Sequence, residues 1–325
     1  LAEYMNGVPL SSLGHPDNDP YQPFRRADVG LWGGILAYQT GILDPMSDAQ
    51  DNTQYTVANN LATGSRINPS MRNVNKGSID EYSISGGFNI QNILYLGFTI
   101  GIQDILYRND NYYAETYDNN SLPLNGMNYI RSLHLDGTGV NFKAGIVYRP
   151  TANVVRPIEN LRIGVAVHTP TLVSINEEYI EWMSADYKNT ARGELLDSPR
   201  SLNEYDINTP TRLLTGISYT LPGVGLITAD YERVWYNRMK LRNMGTENWD
   251  FQQTINNEVS SFYQPANNFR VGIEATPAQN FYIRAGYANY GECIATRDAF
   301  NNMSSINSYE NYSAGLGFRF QNMYV

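Results

Sequence analysis

The sequence predicts an all-β fold in which antiparallel strands form a barrel, and three observations support this prediction. Apolar and polar residues alternate in several stretches of the 325-residue chain, as in strands with one apolar face. Segments rich in Asn, Asp and Ser separate these stretches, and both Tyr, at 25 residues, and Gly, at 27, are abundant. No stretch approaches the roughly 20 consecutive apolar residues of a membrane-spanning helix. A helical membrane protein is therefore excluded.

The clearest alternation lies between residues 82 and 103. Apolar residues, with one Gly, occupy every second position from Tyr82 to Ile90, and small or polar residues lie between them. After the two-residue link Gln91-Asn92, the alternation resumes from Leu94 to Ile102. Two long strands joined by so short a link predict a β-hairpin.

The same hairpin pattern recurs downstream, so it is an internal repeat. Alternating stretches occupy residues 142–148 and 161–168, 212–219 and 227–232, 269–275 and 281–287, and finally 314–320. Each time, glycine falls on the polar face. The links within hairpins are fairly short, whereas the segments between them, 107–135, 176–211 and 238–267, are long and polar. Short turns at one end and long loops at the other are typical of transmembrane barrels.

The remaining segments are predicted to be irregular. Residues 1–28 are polar and rich in turn-forming residues, and we expect a loop there. An apolar run follows from Val29 to Thr40, and then a polar tract extends from about Asp44 to Asp80. The prediction for domain organisation is a single β-barrel domain over residues 1–325.

Three further features favour a barrel in a membrane over a soluble β-sandwich, which also buries one face of each strand. The apolar faces extend over about 9 to 11 residues, the length that a tilted strand needs to cross a bilayer. The polar faces carry charges of both signs, as in a wetted barrel interior. Aromatic residues gather near the strand ends, where a membrane interface would place them: Tyr107, Tyr148, Tyr219, Tyr231, Trp235, Tyr236, Tyr287 and Tyr290. Ordinary cross-strand packing of these rings is the alternative.

Charge and cysteine content exclude several other classes. The net charge is −9, and the basic residues are scattered singly, so nucleic acid is not an expected partner. The single cysteine, Cys293, excludes an intramolecular disulfide framework, and the three histidines have no metal-ligand spacing. No signal segment opens the chain, which favours a mature or incomplete sequence.

Several stretches resemble one family, the FadL/TodX-type outer-membrane transport proteins as they occur in Bacteroidetes. They are KGSIDEY at 76–82, LYLGFTIGIQD at 94–104, GVNFKAGIVYRP at 139–150 with LRIGVAVHTPT at 161–171, and TADYE at 228–232. The resemblance implies a barrel of about 14 strands in the bacterial outer membrane, with an N-terminal plug. It also implies uptake of hydrophobic small molecules, such as fatty acids or aromatics, through an opening in the wall. The Asn-Pro-Ala-Gly element of the family's plug is missing, and we expect the plug and the final strand or strands to be absent from this chain.

Ten polar residues on the polar faces are predicted to face the barrel lumen: Lys143, Arg162, His168, Arg212, Asp230, Glu232, Arg270, Glu274, Arg284 and Arg319. Interior arginines are suited to hold the carboxylate of an anionic amphiphile, or they pair with the nearby carboxylates. Asp230 and Glu232 share one side of a strand, yet neutralisation by arginine is a simpler role for them than acid–base catalysis. The acidic loop 104–120 suits either divalent cations or solvent. We expect no catalytic site, metal or cofactor.

Three functions remain open at this point. The first is passive uptake of a hydrophobic small molecule across the outer membrane, with membrane lipid and that ligand as partners. The second is a structural or scaffold subunit of an outer-membrane secretion or assembly complex, which would contact other membrane proteins through the long loops. The third is a soluble β protein that binds ligands or partners.

Overall fold

A computed structural model describes residues 5–13, 19–57, 66–118, 124–150, 160–188, 195–245, 248–295, 308–320 and 323–324. The chain divides into two compact units. Unit 1 comprises Leu1–Ser78, Ile105–Asp136 and Asn176–Asn203, and unit 2 comprises Ile79–Asp104, Gly137–Ile175 and Glu204–Val325.

Strands dominate the described residues. They are β1 (Leu43–Pro45), β2 (Tyr55–Val57), β3 (Ile67–Ile90), β4 (Leu94–Tyr117), β5 (Leu124–Tyr148), β6 (Leu161–His168), β7 (Leu172–Tyr187), β8 (Leu196–Asp197), β9 (Ser201–Asn208), β10 (Arg212–Leu221), β11 (Gly225–Trp235), β12 (Lys240–Arg242), β13 (Pro265–Ala278), β14 (Phe281–Tyr290), β15 (Tyr309–Phe320) and β16 (Met323–Tyr324). The α-helices are α1 (Leu10–Leu13), α2 (Trp32–Gln39) and α3 (Trp249–Phe262), and 3-10 helices lie at Phe24–Arg26, Val29–Leu31 and Tyr236–Arg238. No helix in the described ranges has both the length and the apolar character needed to cross a membrane.

Fourteen of these strands form one antiparallel sheet. Its hydrogen-bonded order is β12-β9-β7-β5-β6-β10-β11-β13-β14-β15-β16, while β3 and β4 pair beside β5, and β8 pairs with β7. Among the described residues β3 pairs only with β4, so the sheet is not closed. The prediction of an antiparallel all-β fold is confirmed, whereas closure into a barrel stays a prediction.

The hairpins of unit 2 follow the alternation in the sequence. The predicted hairpin between β3 and β4 is present, but three residues, 91–93, link the strands instead of two. Gln91 and Asn92 both have positive φ, 55° and 58°. Two consecutive residues with positive φ form the tight turn that suits the twist of a hairpin. Strands β10 and β11 pair from Arg212 opposite Val234 down to Leu221 opposite Gly225.

One face of unit 2 carries exposed apolar side chains on every long strand. We call it the outward face, and the opposite face the inward face. The large exposed side chains on the outward face include Ile84, Phe88, Phe98, Ile100, Phe142, Ile146, Ile163, Val165, Ile217, Ile227, Phe269, Val271, Ile273, Ile283, Leu316 and Phe318, all between 41% and 73% exposed. A soluble monomer rarely exposes a contiguous apolar patch larger than a few hundred Å².

The tripeptide Thr-Pro-Thr interrupts the sheet twice, between β6 and β7 and between β9 and β10. The Thr169 N–H donates to the Phe142 carbonyl of β5 at 2.9 Å, whereas the Thr171 N–H donates to the hydroxyl of Thr209 on the opposite side at 2.8 Å. In a regular strand, residues two apart bond the same neighbour, so the backbone is rotated at Pro170. Inward positions are consequently even-numbered in β6 and odd-numbered at the start of β7.

The structure corrects the predicted loops. Segment 107–135 is mostly the continuation of β4 and the beginning of β5, and segment 176–211 contains most of β7 with β8 and β9. Segment 238–267 contains β12, α3 and the start of β13, and the proposed acidic loop 104–120 is strand through Tyr117. Residues 1–28 include helical turns, and the polar tract 44–80 contains β2 and the first half of β3.

Unit 1 has its own apolar core. Helix α2 and the β1–β2 hairpin pack with parts of β5 and β7, and the buried residues are Met5, Leu10, Leu13, Phe24, Trp32, Ile35, Leu36, Ala37, Ile42, Leu43, Tyr55, Leu124, Met127, Met183 and Ala185. Most of the apolar run 29–40 therefore forms a buried helix, Trp32–Gln39, after a mostly exposed 3-10 turn at Val29–Leu31.

A buried carboxylate lies beside this core. Glu181 of β7 is 3% exposed, and its two carboxylate oxygens accept hydrogen bonds from the hydroxyls of Tyr129, at 2.9 Å, and Tyr179, at 2.5 Å. Burial raises the pKa of Glu181, although the two hydroxyls oppose this shift. Helix α2 approaches closely, because a Cβ on Gly33 would lie 2.5 Å from the Tyr129 hydroxyl oxygen.

Candidate functional site

The strand register of unit 2 gathers most of the predicted polar residues on the inward face. Residues directly opposite in adjacent strands point to the same side of a sheet. His168 lies opposite both Lys143 and Arg212. Asp230 lies opposite Arg270, and Glu274 lies opposite Arg284. Lys143, His168 and Arg212 therefore form one row across three strands.

Glu232 is the centre of the most buried ionic cluster of this face. Its carboxylate is bound by Arg270, with an Nη2–Oε2 distance of 2.5 Å, and Arg212 lies 3.9 Å from its other oxygen. Asn268 donates a further hydrogen bond at 3.2 Å. The Glu232 residue is 7% exposed, whereas half of the Arg212 side chain is exposed. Arg212 therefore has guanidinium N–H groups that are not bound to Glu232.

A second cluster surrounds Glu81, which the sequence prediction missed. Lys143 forms an ion pair with this carboxylate, Gln103 donates to it at 2.9 Å, and Asn141 donates at 3.3 Å. Gly101 leaves room for the group, since a Cβ there would lie 2.8 Å from Asn141 Oδ1. Extending the β3 alternation by one inward position beyond Ser83 would have identified Glu81.

The other predicted residues occupy separate positions. Glu274 and Arg284 form an ion pair of 2.6 Å, and Arg162 donates to the Thr220 hydroxyl at 3.4 Å. Asp230 has no ion pair within the described part of the chain. The exposed Arg319, at the end of β15, has none there either.

The inward face borders an open cavity of about 740 Å³. Its lining comes from β3, β4, β5, β6, β10, β11 and β13, so the sheet curves around this space. At one end lie Lys143, His168, Glu232 and Arg270. Its lining includes the glycines Gly97, Gly145, Gly164 and Gly216, of which Gly164 and Gly216 are directly opposite each other.

The lining combines a polar end with glycines and apolar side chains. Guanidinium and ammonium groups at the polar end are donors suited to carboxylate or phosphate. The carboxylate of Glu232 is paired with arginines and is therefore not free to accept a proton as a general base. In the described ranges, no three His, Cys, Asp or Glu side chains are grouped in a way that could hold a metal ion.

The chain matches no protein-family model and has no significant match among the curated proteins.

Proposed function

We propose that the chain is a β-barrel protein of the bacterial outer membrane that mediates passive uptake of hydrophobic small molecules, in particular amphiphiles with a polar head. The single observation that carries the proposal is the outward face, on which large apolar side chains are exposed on consecutive strands. Water would disfavour such a surface, whereas lipid would stabilise it. The resemblance to the FadL/TodX-type proteins agrees with this proposal.

The inward face supports the uptake function. An apolar tail would lie over the glycines of the 740 Å³ cavity. Arg212, which lies next to the cavity residues His168 and Glu232, would receive an anionic head. Because glycines form part of the lining, they leave space for ligands of different shape. A barrel whose interior were filled with large side chains would not offer this space.

Influx into vesicles that contain the purified chain tests the proposal. A fluorescent fatty acid is the probe, and the variant Gly164→Trp places a large ring in the cavity. A side chain fits there, because a Cβ on Gly164 would lie 3.7 Å from its nearest neighbouring atom. Val165→Trp, which points outward on the same strand, is the matched control. We expect Gly164→Trp to slow influx at least about tenfold and Val165→Trp to leave it unchanged; equal influx in both variants would refute uptake through this cavity.

A scaffold role is the second candidate, and helix α3 favours it. Its three largest side chains, Trp249, Phe251 and Phe262, are each more than half exposed. Exposed aromatic residues are common where proteins associate. If α3 is a docking surface, Phe251→Ser should abolish co-purification with a partner and leave influx intact.

A further inference from the structure

Two arginines contact one tryptophan at the end of β11. The guanidinium carbon of Arg233 lies 5.6 Å from the centroid of the Trp235 ring, and that of Arg238 lies 5.7 Å from the same centroid. Arg238 follows in the 3-10 helix Tyr236–Arg238 and is exposed. We call Arg233, Trp235 and Arg238 the arginine–tryptophan cluster.

The cluster lies directly beyond the apolar part of the outward face. Ile227, Tyr231, Arg233 and Trp235 alternate along β11 and therefore point to the same side. Ile227 is 46% exposed, and the Tyr231 ring packs against Phe269 at 5.0 Å. With increasing distance from the β10–β11 turn, the outward-pointing residues of β11 thus change from aliphatic to aromatic and basic.

The two arginines share one aromatic ring and, among the described residues, have no anionic partner there. In the described part of the molecule, neither guanidinium has a carboxylate within ion-pair distance. The Nε of Arg233 is buried without a hydrogen-bond partner, and so is Oδ1 of Asn237 in the same turn. A buried donor without a partner is costly, and two cations at one ring also repel each other. An anion bound to the guanidinium groups would offset the repulsion between the two positive charges.

We propose that the arginine–tryptophan cluster binds the phosphate of a lipid headgroup. Guanidinium groups bind phosphate with two parallel hydrogen bonds, and Trp and Tyr favour the boundary between hydrocarbon and headgroups. Basic side chains next to a membrane attract anionic lipids. The inference depends on the proposed outer-membrane location, which places this end of the sheet at the bilayer surface.

Binding of a short-chain lipid in detergent tests the inference. The full chain is titrated with dihexanoyl phosphatidic acid, and dihexanoylglycerol serves as the lipid without phosphate. The loss of one arginine next to an anionic lipid is expected to weaken the binding of that lipid about fivefold. We expect about fivefold weaker binding for Arg238→Gln, which alters only an exposed side chain, and about twenty-five-fold for Arg233→Gln/Arg238→Gln. The control Lys240→Gln/Arg242→Gln removes the same charge from β12 and should bind like the parent chain.

Equal affinity of the parent chain and the Arg238→Gln variant would overturn the inference, and so would equal affinity for the two lipids. Complete displacement by millimolar inorganic phosphate would show a site for free phosphate instead of lipid. Circular dichroism checks that each variant is folded. Flotation with liposomes separately tests membrane insertion, so failure of the lipid site and failure of the proposed membrane location give different results.

Discussion

At the scale of single residues, the ion pairs Arg270–Glu232 and Arg284–Glu274 of the inward face differ in burial. The side chain of Glu232 is 8% exposed, whereas that of Glu274 is 28% exposed. Removing one partner of a buried pair leaves an uncompensated charge, at a cost of about 3–5 kcal/mol. An exposed pair contributes about 0–1 kcal/mol.

We therefore predict that Arg270→Met lowers the free energy of unfolding by several times more than Arg284→Met. Arg212, at 3.9 Å from Glu232, reduces but does not remove the cost. Urea unfolding of the two variants in detergent measures the difference. Similar losses in both variants would show that Glu232 is not held mainly by Arg270.

Because it has no side chain, Gly216 leaves space for the carboxylate of Asp230. A Cβ on Gly216 would lie 2.6 Å from Asp230 Oδ1. Because the contact is with the end of a side chain that can rotate, we predict that Gly216→Ala costs about 1 kcal/mol of unfolding free energy, at the low end of overpacking effects, and that adding Asp230→Ala restores most of it. Gly97→Ala is the control, because no atom lies within 4 Å of its Cβ position. A double variant no more stable than Gly216→Ala alone would contradict this contact.

Glu181 makes unit 1 sensitive to pH. Because burial raises the pKa of this carboxyl in the folded chain, protonation favours the folded state. The contribution of this carboxyl to stability is greatest below the ordinary value of 4.5 and declines as the pH rises through the raised pKa. We predict faster hydrogen exchange of α2 at pH 8 than at pH 5, after correction for intrinsic rates, and a smaller difference in Glu181→Gln. An unchanged difference in that variant would assign the pH effect to another group.

The alternation in the sequence predicted on which face of a strand each residue lies, but it could not predict which residues of other strands contact it. Alternation places Arg270 and Glu232 on one face of two strands, and this suffices to expect neutralisation of the carboxylate. Lys143 and Glu81 are 62 positions apart, and their pairing depends on which strands become neighbours. The pairing of Glu181 with two tyrosines likewise depends on tertiary packing.

At the scale of elements, the β3–β4 hairpin allows a direct test. Gln91 adopts φ 55°, which costs a residue with a Cβ about 1–2 kcal/mol relative to glycine. We predict that Gln91→Gly stabilises the folded chain by about 1 kcal/mol and that Gln91→Val destabilises it. Thermal unfolding of both variants measures the effect. A destabilising Gln91→Gly would exclude the left-handed turn.

The long loops were predicted wrongly for a physical reason. Period-two patterns identify a strand only where one face is apolar and the other polar. The first half of β3, with sequence INPSMRNVNKGS, is polar on both faces and therefore resembles a loop. The rotation at Pro170 also ends the alternation of β6, although a strand continues in β7. Apolar alternation thus marks only part of each strand.

At the scale of the whole molecule, the sequence predicted the antiparallel sheet but not its full extent. The recurring hairpins in the sequence correctly predicted that β10 pairs with β11 and that β13 pairs with β14. Closure of the sheet depends on pairing between strands far apart in the chain, for which alternation carries no information. The membrane assignment depends on whether the outward face is in contact with lipid or with water.

Cysteine labelling in liposomes tests that assignment most directly, in a chain with Cys293→Ser. Ile217→Cys and Ile227→Cys point outward, whereas the adjacent Ser218→Cys and Thr228→Cys point inward. We predict that a water-soluble maleimide labels the two inward cysteines, while the two outward cysteines react only with a lipid-soluble reagent. Rapid labelling of all four by the water-soluble reagent would contradict a lipid-facing sheet.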